Sequence, residues 1–107
     1  QRAVARHELK IDLDTVLRTA RRMLPKAGRF SIIYPSVRSV DLLAAMRSTG
    51  VEPKYLTMIH SRPASPARLV AVTGIKGGRP GLEVGPPLDL YHEDGTYTRA
   101  VKAMFSG

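Results

Sequence analysis

The first regular pattern along the chain is helical. From Leu13 to Leu24, apolar residues recur every three or four positions, while arginines take most of the opposite face. Asp12 or Asp14 can cap the free amide groups at the start of such a helix. Pro25 and Gly28 interrupt the pattern, so we predict that the first helix ends just before them.

A short apolar segment and a second helical segment follow. The near-continuous apolarity of "RFSIIY", Arg29–Tyr34, predicts a strand buried on both faces, as in a parallel sheet. The next stretch, "PSVRSVDLLAAMRSTG", predicts a helix that Ser36 or Ser39 caps and that ends at Gly50, where a left-handed C-cap belongs. Its apolar residues cover much of its surface, which indicates packing against a sheet.

Two further strands are predicted, at "EPKYLTMIH" and "ARLVAVTGIK". Only "SRPASP" separates them, which is too short for a helical crossover, so they should form an antiparallel hairpin. The tail "GGRPGLEVGPPLDLYHEDGTYT" is rich in Gly and Pro. In it we predict an ordered extension with a short strand at Leu82–Val84, followed by a helix from Tyr97 to Phe105.

This order predicts an α/β fold whose sheet is mostly parallel and ends in an antiparallel hairpin. Such folds normally begin with a strand and place their ligand site at the ends of the first strands. This chain instead begins with a helical pattern, and a lone sheet of so few strands is marginally stable. We therefore expect residues 1–107 to be a single partial domain. The strand at Phe30–Tyr34 would then leave an open edge, through which two copies can form a homodimer.

The charge of the chain narrows the class of partner. Its 17 Lys and Arg outnumber 9 Asp and Glu, for a net charge of +8, which favours nucleic acid. A basic but merely solvated surface is the alternative.

No apolar run approaches the roughly 20 residues of a membrane helix. The absence of Cys excludes disulfides and thiolate metal sites. We expect a cytoplasmic protein without membrane contact or bound metal.

Several stretches resemble known methyltransferases. "LPKAGRFSIIYP" is similar to the helix end, turn and fifth strand of Rossmann-like S-adenosylmethionine-dependent methyltransferases, with Ala27 in place of a frequent Gly. The final antiparallel hairpin also fits that class. "ARHE" at residues 5–8 and the Gly/Pro-rich tail resemble the bacterial adenine-N6 methyltransferases that modify valine tRNA. The matching tail positions are Gly77, Gly78, Arg79, Pro80, Gly81, Leu82, Pro86, Pro87, Leu88, Tyr91, Gly95, Tyr97 and Thr98.

The resemblance covers only the C-terminal half of a Rossmann-like methyltransferase sheet. The family's Gly-rich cofactor loop and its catalytic Asn-Pro-Pro-Tyr motif are absent from this sequence. The local segment "GIKGGRPG" leads into Pro80 rather than a helix, so it cannot act as a dinucleotide loop. The resemblance implies that the parent enzyme uses S-adenosylmethionine to methylate an adenine amino group of tRNA. It implies no catalytic or cofactor-binding residue here, no cofactor bound by these residues alone, and no activity of this part alone.

Candidate RNA contacts come from the charge and from the resemblance. Arg6 and His7 would border the active-site mouth, or else only begin a surface helix. Arg62 lies on a predicted loop tip, where an arginine suits phosphate contact but is also common in any polar loop. Tyr91 or Tyr97 can stack on a base, or the tail can act as a clamp across the sheet. The candidate RNA-binding residues are Arg6, His7, Arg62, Arg79 and Tyr91.

A second interpretation belongs to another class of protein. The same basic α/β chain can be a stand-alone module that binds nucleic acid or a protein and catalyses nothing. Such a module should bind RNA by itself with a steep dependence on salt, because phosphate contacts release counterions. A partial methyltransferase domain should bind RNA weakly and without preference.

Overall fold

The computed structural model describes residues 12–99, 101 and 102. The elements in this part, in chain order, are α1 (Leu13–Met23), β1 (Arg29–Pro35), a 3-10 turn (Ser36–Arg38), α2 (Ser39–Thr49), β2 (Val51–His60), β3 (Ala67–Lys76), β4 (Glu83–Val84) and β5 (Leu88–Asp89). The predicted α/β order and the antiparallel hairpin are confirmed. The short strand predicted in the tail is β4, whereas β5 was not predicted.

The helix ends follow the capping rules only in part. Asp12 caps α1, because its side chain accepts the backbone N–H three residues further on at 2.7 Å. Gly50 ends α2 in the left-handed region with φ 87°. The predicted serine cap of α2 is wrong, since Arg38 is the N-cap and makes no side-chain cap bond. Ser36 instead donates to the first carbonyl of β3 at 2.8 Å, and Ser39 donates to the Ser36 carbonyl at 2.7 Å.

The strand order is β1-β3-β2-β4, with β5 also paired to β2. Strand β3 is antiparallel to both β1 and β2, so the expectation of a mostly parallel sheet is wrong for the described residues. Only the two short strands β4 and β5 pair parallel to β2. The helical crossover through α2 does join two strands of the same direction, β1 and β2. The second hairpin strand, however, lies between them.

Strand β1 is buried on one face only, which corrects the prediction of burial on both faces. Phe30, Ile32 and Tyr34 pack against the core, whereas Ile33 is 54% exposed. An edge strand with helices on a single side needs apolar residues only at alternate positions. The apolar Ile33 is the residue that made the pattern look continuous.

One core joins the helices to the sheet. Leu17 of α1 and two residues of α2 pack on one face of β2 and β3, which gives a buried cluster of Leu17, Leu42, Met46, Val51, Leu56, Val70 and Val72. The predicted C-terminal helix begins later than Tyr97, because its first backbone bond runs from the Lys102 N–H to the Thr98 carbonyl at 3.0 Å. Residues 100 and 103–105 of that prediction lie outside the described part of the chain. No helix in the described part is long and apolar enough to cross a membrane.

Candidate nucleic-acid interface

The sheet has two chemically different ends. We call the end where β1 and β2 stop and β3 starts the carboxyl edge, marked by Pro35, His60 and Ala67. The opposite end, marked by Arg29, Val51 and Lys76, is the amino edge. In open α/β sheets, ligands bind outside the carboxyl ends of the strands. The carboxyl edge is therefore the first place to look for a substrate site.

An arginine and two tyrosines meet at the carboxyl edge. The guanidinium carbon of Arg62 lies 5.9 Å from the centre of the Tyr91 ring. The rings of Tyr91 and Tyr97 are stacked, with centres 5.1 Å apart and planes 20° from parallel. We call Arg62, Tyr91 and Tyr97 the aromatic–arginine cluster. It unites two of the predicted RNA-contacting residues, which are 29 positions apart in the sequence.

The hairpin loop after β2 sets the position of Arg62. The Ser65 hydroxyl donates to the Arg62 carbonyl at 2.6 Å and accepts the Arg62 N–H at 3.1 Å. The Ser65 carbonyl in turn lies 2.6 Å from His60 Nδ1. Ala64, between them, has a φ of 64°, in the left-handed region that β-branched residues avoid. This closed turn fixes the backbone from which the exposed Arg62 side chain projects.

The backbone after β5 places Tyr91 beside this loop. The N–H of Leu90 donates to the His60 carbonyl at 2.9 Å, and the N–H of Tyr91 donates to the Ser61 carbonyl at 2.8 Å. The chain thus continues along the end of β2 instead of leaving the sheet. Tyr91 and Tyr97 then pair as an isolated antiparallel bridge, which brings their rings together.

A tight turn between the two tyrosines completes the cluster. The His92 N–H donates to the Thr96 carbonyl at 2.6 Å, and the N–H and hydroxyl of Thr96 both donate to Asp94 Oδ1, at 3.0 and 2.8 Å. These two bonds, the backbone one foremost, lower the pKa of the Asp94 carboxyl, so it stays ionised. Gly95 has a φ of 90° and faces Arg62, so a side chain at this position would be strained.

The cluster has the chemistry of a nucleotide contact. Arg62 is exposed and Tyr97 is 47% exposed, whereas Tyr91 is half-buried beneath the guanidinium. An aromatic face can stack on a base, and a neighbouring guanidinium can hold a phosphate oxygen. The contact between Arg62 and Tyr91 stabilises this arrangement by roughly 0.5–1 kcal/mol at an exposed site.

The other candidates lie elsewhere. The Arg79 carbonyl accepts a hydrogen bond from Lys54 Nζ at 2.8 Å, which places Arg79 at the amino edge. Lys54 precedes His60 by six positions in β2, so the two edges are about 20 Å apart. The structure therefore separates Arg79 from the aromatic–arginine cluster. Arg6 and His7 lie outside the described residues.

Sequence reasoning missed the turn that joins the tyrosines. Its signal was the dipeptide Asp94–Gly95 between two tyrosines, since Asp-Gly flanked by strand-forming residues favours a tight hairpin. Among the described residues, no group of three His, Asp or Glu side chains is arranged to hold a metal ion. The chain contains no asparagine, so an Asn-Pro-Pro-Tyr motif has no counterpart in it.

Comparison with known proteins relates the chain to methyltransferases. It is 34% identical over 70 residues to a tRNA1(Val) (adenine(37)-N6)-methyltransferase of Phocaeicola vulgatus, a match that covers 65% of this chain and 30% of that protein. The fold superposes with a TM-score of 0.76 on the crystal structure of a predicted O-methyltransferase from Agrobacterium tumefaciens, at 27% identity. That match covers 87% of this chain and 45% of the structure.

The chain thus spans less than half the length of either protein. No protein-family profile matches it. The two matches agree on the class of reaction that their names give, methyl transfer, and differ on the acceptor atom. The aromatic–arginine cluster belongs to a chain that is similar in both sequence and fold to part of a methyltransferase. Over the part of their length that it spans, this chain is related to methyltransferases, among them a tRNA adenine-N6 methyltransferase.

Proposed function

We propose that this chain is the carboxyl-terminal part of an S-adenosylmethionine-dependent methyltransferase that acts on an adenine amino group of tRNA. In this proposal the aromatic–arginine cluster contacts the RNA beside the target base, in the cytoplasm. The observation that carries the proposal is the place of the cluster. It lies at the carboxyl edge of a sheet that is similar to half of a methyltransferase.

The Gly-rich segment of the described chain does not have the strand–turn–helix form of the family's cofactor loop. The loop part of the segment "GIKGGRPG" begins at Gly77, whose N–H donates to the Gly50 carbonyl at the amino edge. Pro80 follows, and the next element is the strand β4 and not a helix. Backbone amides at a helix N-terminus, which bind phosphates and carboxylates such as that of S-adenosylmethionine, are therefore missing from this segment. We propose that S-adenosylmethionine is bound by residues outside this chain and that the 107 residues alone transfer no methyl group.

RNA methylation at a base requires access to the edge of that base. Enzymes that modify bases take the target out of its stack and hold it in a pocket. Stacking on Tyr97 and phosphate contact by Arg62 would stabilise the nucleotides next to the extruded base. Both residues therefore act in binding and positioning, and the transfer itself belongs to groups outside the described chain.

The experiment is a methyl-transfer assay on unmodified valine tRNA, with the protein encoded by the entire reading frame that contains this chain. We expect Arg62→Ala to raise the KM for tRNA and to leave kcat nearly unchanged, because Arg62 contributes to binding only. We expect Tyr97→Ala to lower kcat/KM by roughly 5- to 150-fold, which corresponds to about 1–3 kcal/mol of base stacking.

Arg68→Ala is the matched control. Arg68 is also an exposed arginine near the hairpin loop, at the start of β3, and it is not a member of the cluster. We expect it to change the KM for tRNA less than twofold, as surface substitutions usually do. Equal effects of Arg62→Ala and Arg68→Ala would refute a specific role of the cluster.

The net charge of +8 also supports the second interpretation, a nucleic-acid-binding module without catalysis. The two candidates differ in the same assay. A binding module would hold the tRNA and transfer no methyl group, even when the protein encoded by the entire reading frame is assayed. The similarity to two methyltransferases favours the enzyme.

A further inference from the structure

Positive charge is concentrated at the amino edge, away from the aromatic–arginine cluster. The cations near this edge lie in the last turns of both helices, in the turn after α1, at the start of β1, in the first half of β2, at the end of β3 and in the loop after β3: Arg21, Arg22, Lys26, Arg29, Arg47, Lys54, Lys76 and Arg79. Only two carboxylates, Glu52 and Glu83, lie near these eight cations, and Glu83 is already towards the middle of the sheet, beside Tyr55. The other described residues carry six cations and six carboxylates.

Hydrogen bonds to backbone carbonyls hold the segments that carry several of these cations together at the amino edge. The Lys76 N–H donates to the Gly28 carbonyl, and Lys76 Nζ donates to the Leu24 carbonyl, both at 2.9 Å. These bonds hold the end of β3 against the turn that carries Lys26. The contact between Lys54 and the Arg79 carbonyl adds the loop after β3 to the same edge.

Helix termini and ion pairs within the described chain neutralise only a small part of this positive charge. Both helices end at the amino edge, and each helix C-terminus carries only about half a negative charge, so together they offset roughly one cation. Glu52 pairs with Arg47 at 2.6 Å and neutralises one more. Arg22, Lys26, Arg29 and Arg79 are exposed and make no ion pair with any residue in the described part of the chain.

We propose that the amino edge binds the phosphate backbone of a structured RNA, as a second contact surface about 20 Å from the cluster. Exposed lysines and arginines without carboxylate partners are the groups that phosphates recruit. A folded RNA presents phosphates along its whole length, so one molecule can contact both the cluster and the amino edge. The inference rests on the proposed RNA substrate and is independent of methyl transfer.

The experiment measures binding of the 107-residue chain to a fluorescent, unmodified valine tRNA transcript by anisotropy at several salt concentrations. The amino-edge variant carries Arg22→Gln, Lys26→Gln, Arg29→Gln and Arg79→Gln. We expect its affinity to fall tenfold or more at about 0.1 M salt. The slope of log K against log salt should become shallower by about 3, since each lost phosphate contact removes about 0.7–0.9.

The control variant removes the same charge from the rest of the described surface, with Arg18→Gln, Arg38→Gln, Arg68→Gln and Arg99→Gln. We expect its salt slope to stay close to that of the parent chain. Equal losses in both variants would mean a diffuse field and would overturn the proposal. Absence of RNA binding by the parent chain would overturn it as well.

A second variant guards against misfolding. Lys26→Glu with Arg79→Glu changes only exposed positions outside helices and strands. We expect this variant to unfold at the same temperature as the parent chain and yet to bind RNA at least tenfold more weakly than the parent chain. Retained affinity in this folded variant would contradict the proposal. RNA binding that depends on the amino edge, in a protein that transfers no methyl group, would refute the proposed enzyme and leave this inference intact.

Discussion

At the scale of single residues, Glu52 is the one buried charged side chain among the described residues. It is 7% exposed and lies on β2 beneath the end of α2. Arg47 donates to both of its carboxylate oxygens, at 2.6 and 3.2 Å. These bonds lower the pKa of Glu52 below its ordinary value of 4.5, and they outweigh the burial that acts in the opposite direction. The pair fixes the C-terminal turn of α2 to the sheet.

Glu52→Gln should therefore make the unfolding temperature depend less on pH in the acidic range. Because the folded-state pKa of Glu52 is lowered, its stabilising contribution is complete above about pH 4.5 and is lost as the pH falls through that lowered pKa. We expect the variant to unfold at a lower temperature than the parent at pH 7. The difference should shrink as the pH falls below 4.5. Thermal unfolding followed by circular dichroism at several pH values measures both quantities.

Glu83→Gln is the control for this prediction. Glu83 is an exposed carboxylate on the short strand β4, outside any ion pair in the described chain. Its substitution should shift the unfolding temperature little at any pH. A Glu52→Gln effect that stays constant from pH 7 to pH 3 would show that the ion pair with Arg47 is not its cause.

At the scale of elements, the contact of α2 with the sheet depends on Gly74 of β3. A Cβ at this position would lie 2.5 Å from Met46 Cε, 2.8 Å from Val51 Cγ1 and 3.1 Å from the Glu52 carbonyl. The flexible end of Met46 can move, but Val51 is fully buried and the carbonyl belongs to β2. The absence of a side chain at Gly74 is what lets the helix approach the strands closely.

We expect Gly74→Ala to destabilise the chain by about 1–3 kcal/mol through overpacking. Gly85→Ala is the matched control, because a Cβ there would meet only Thr57 Oγ1 and the Leu56 carbonyl, at 3.6 and 3.9 Å. This control should change the free energy of unfolding by less than about 1 kcal/mol. Urea unfolding of both variants decides the matter, and equal stabilities would exclude close packing at Gly74.

The sequence predicted elements better than their arrangement. The spacing of apolar residues and the caps Asp12 and Gly50 gave the helices, because these signals are local. The same local signals could not show that β3 lies between β1 and β2. Strand order depends on contacts between distant residues, such as Ile32 with Val72 and Val72 with Leu56.

For the candidate site too, the sequence predicted individual residues but not their arrangement. Charge and residue type singled out Arg62 and Tyr91 from the sequence, since both suit RNA contact. Their meeting required the pairing of β5 with β2 and the turn at Gly95, neither of which was predicted. Arg79 was grouped with them only because residue type carries no information about which edge of the sheet a loop reaches.

At the scale of the whole molecule, the unpaired edge of β1 is the place where two copies of the chain can associate. In the described chain β1 pairs on one side only, with β3. An antiparallel pairing of two copies centred on Ile32 would set Phe30 opposite Tyr34 and Arg29 opposite Pro35 of the second copy. No like charges would face each other in that arrangement, so the homodimer remains a prediction for the 107-residue chain.

Light scattering during size-exclusion chromatography tests this prediction. We expect a dimer at high protein concentration and a monomer for Ile33→Lys, because charged side chains on an edge strand block pairing. Val84→Lys is the control, since Val84 is 62% exposed on β4, on the other side of the sheet. A parent chain that stays monomeric at millimolar concentration would contradict the dimer.

The identity of the methylated nucleoside tests the central claim most directly. The two related proteins are named for different acceptors, an adenine N6 atom and an oxygen. The assay incubates unmodified valine tRNA with S-adenosylmethionine and the protein of the entire reading frame, then digests the RNA for mass spectrometry. We predict N6-methyladenosine as the product, and its loss when the 107-residue chain is used alone. A 2′-O-methylated nucleoside, or no methylated nucleoside at all, would contradict the account.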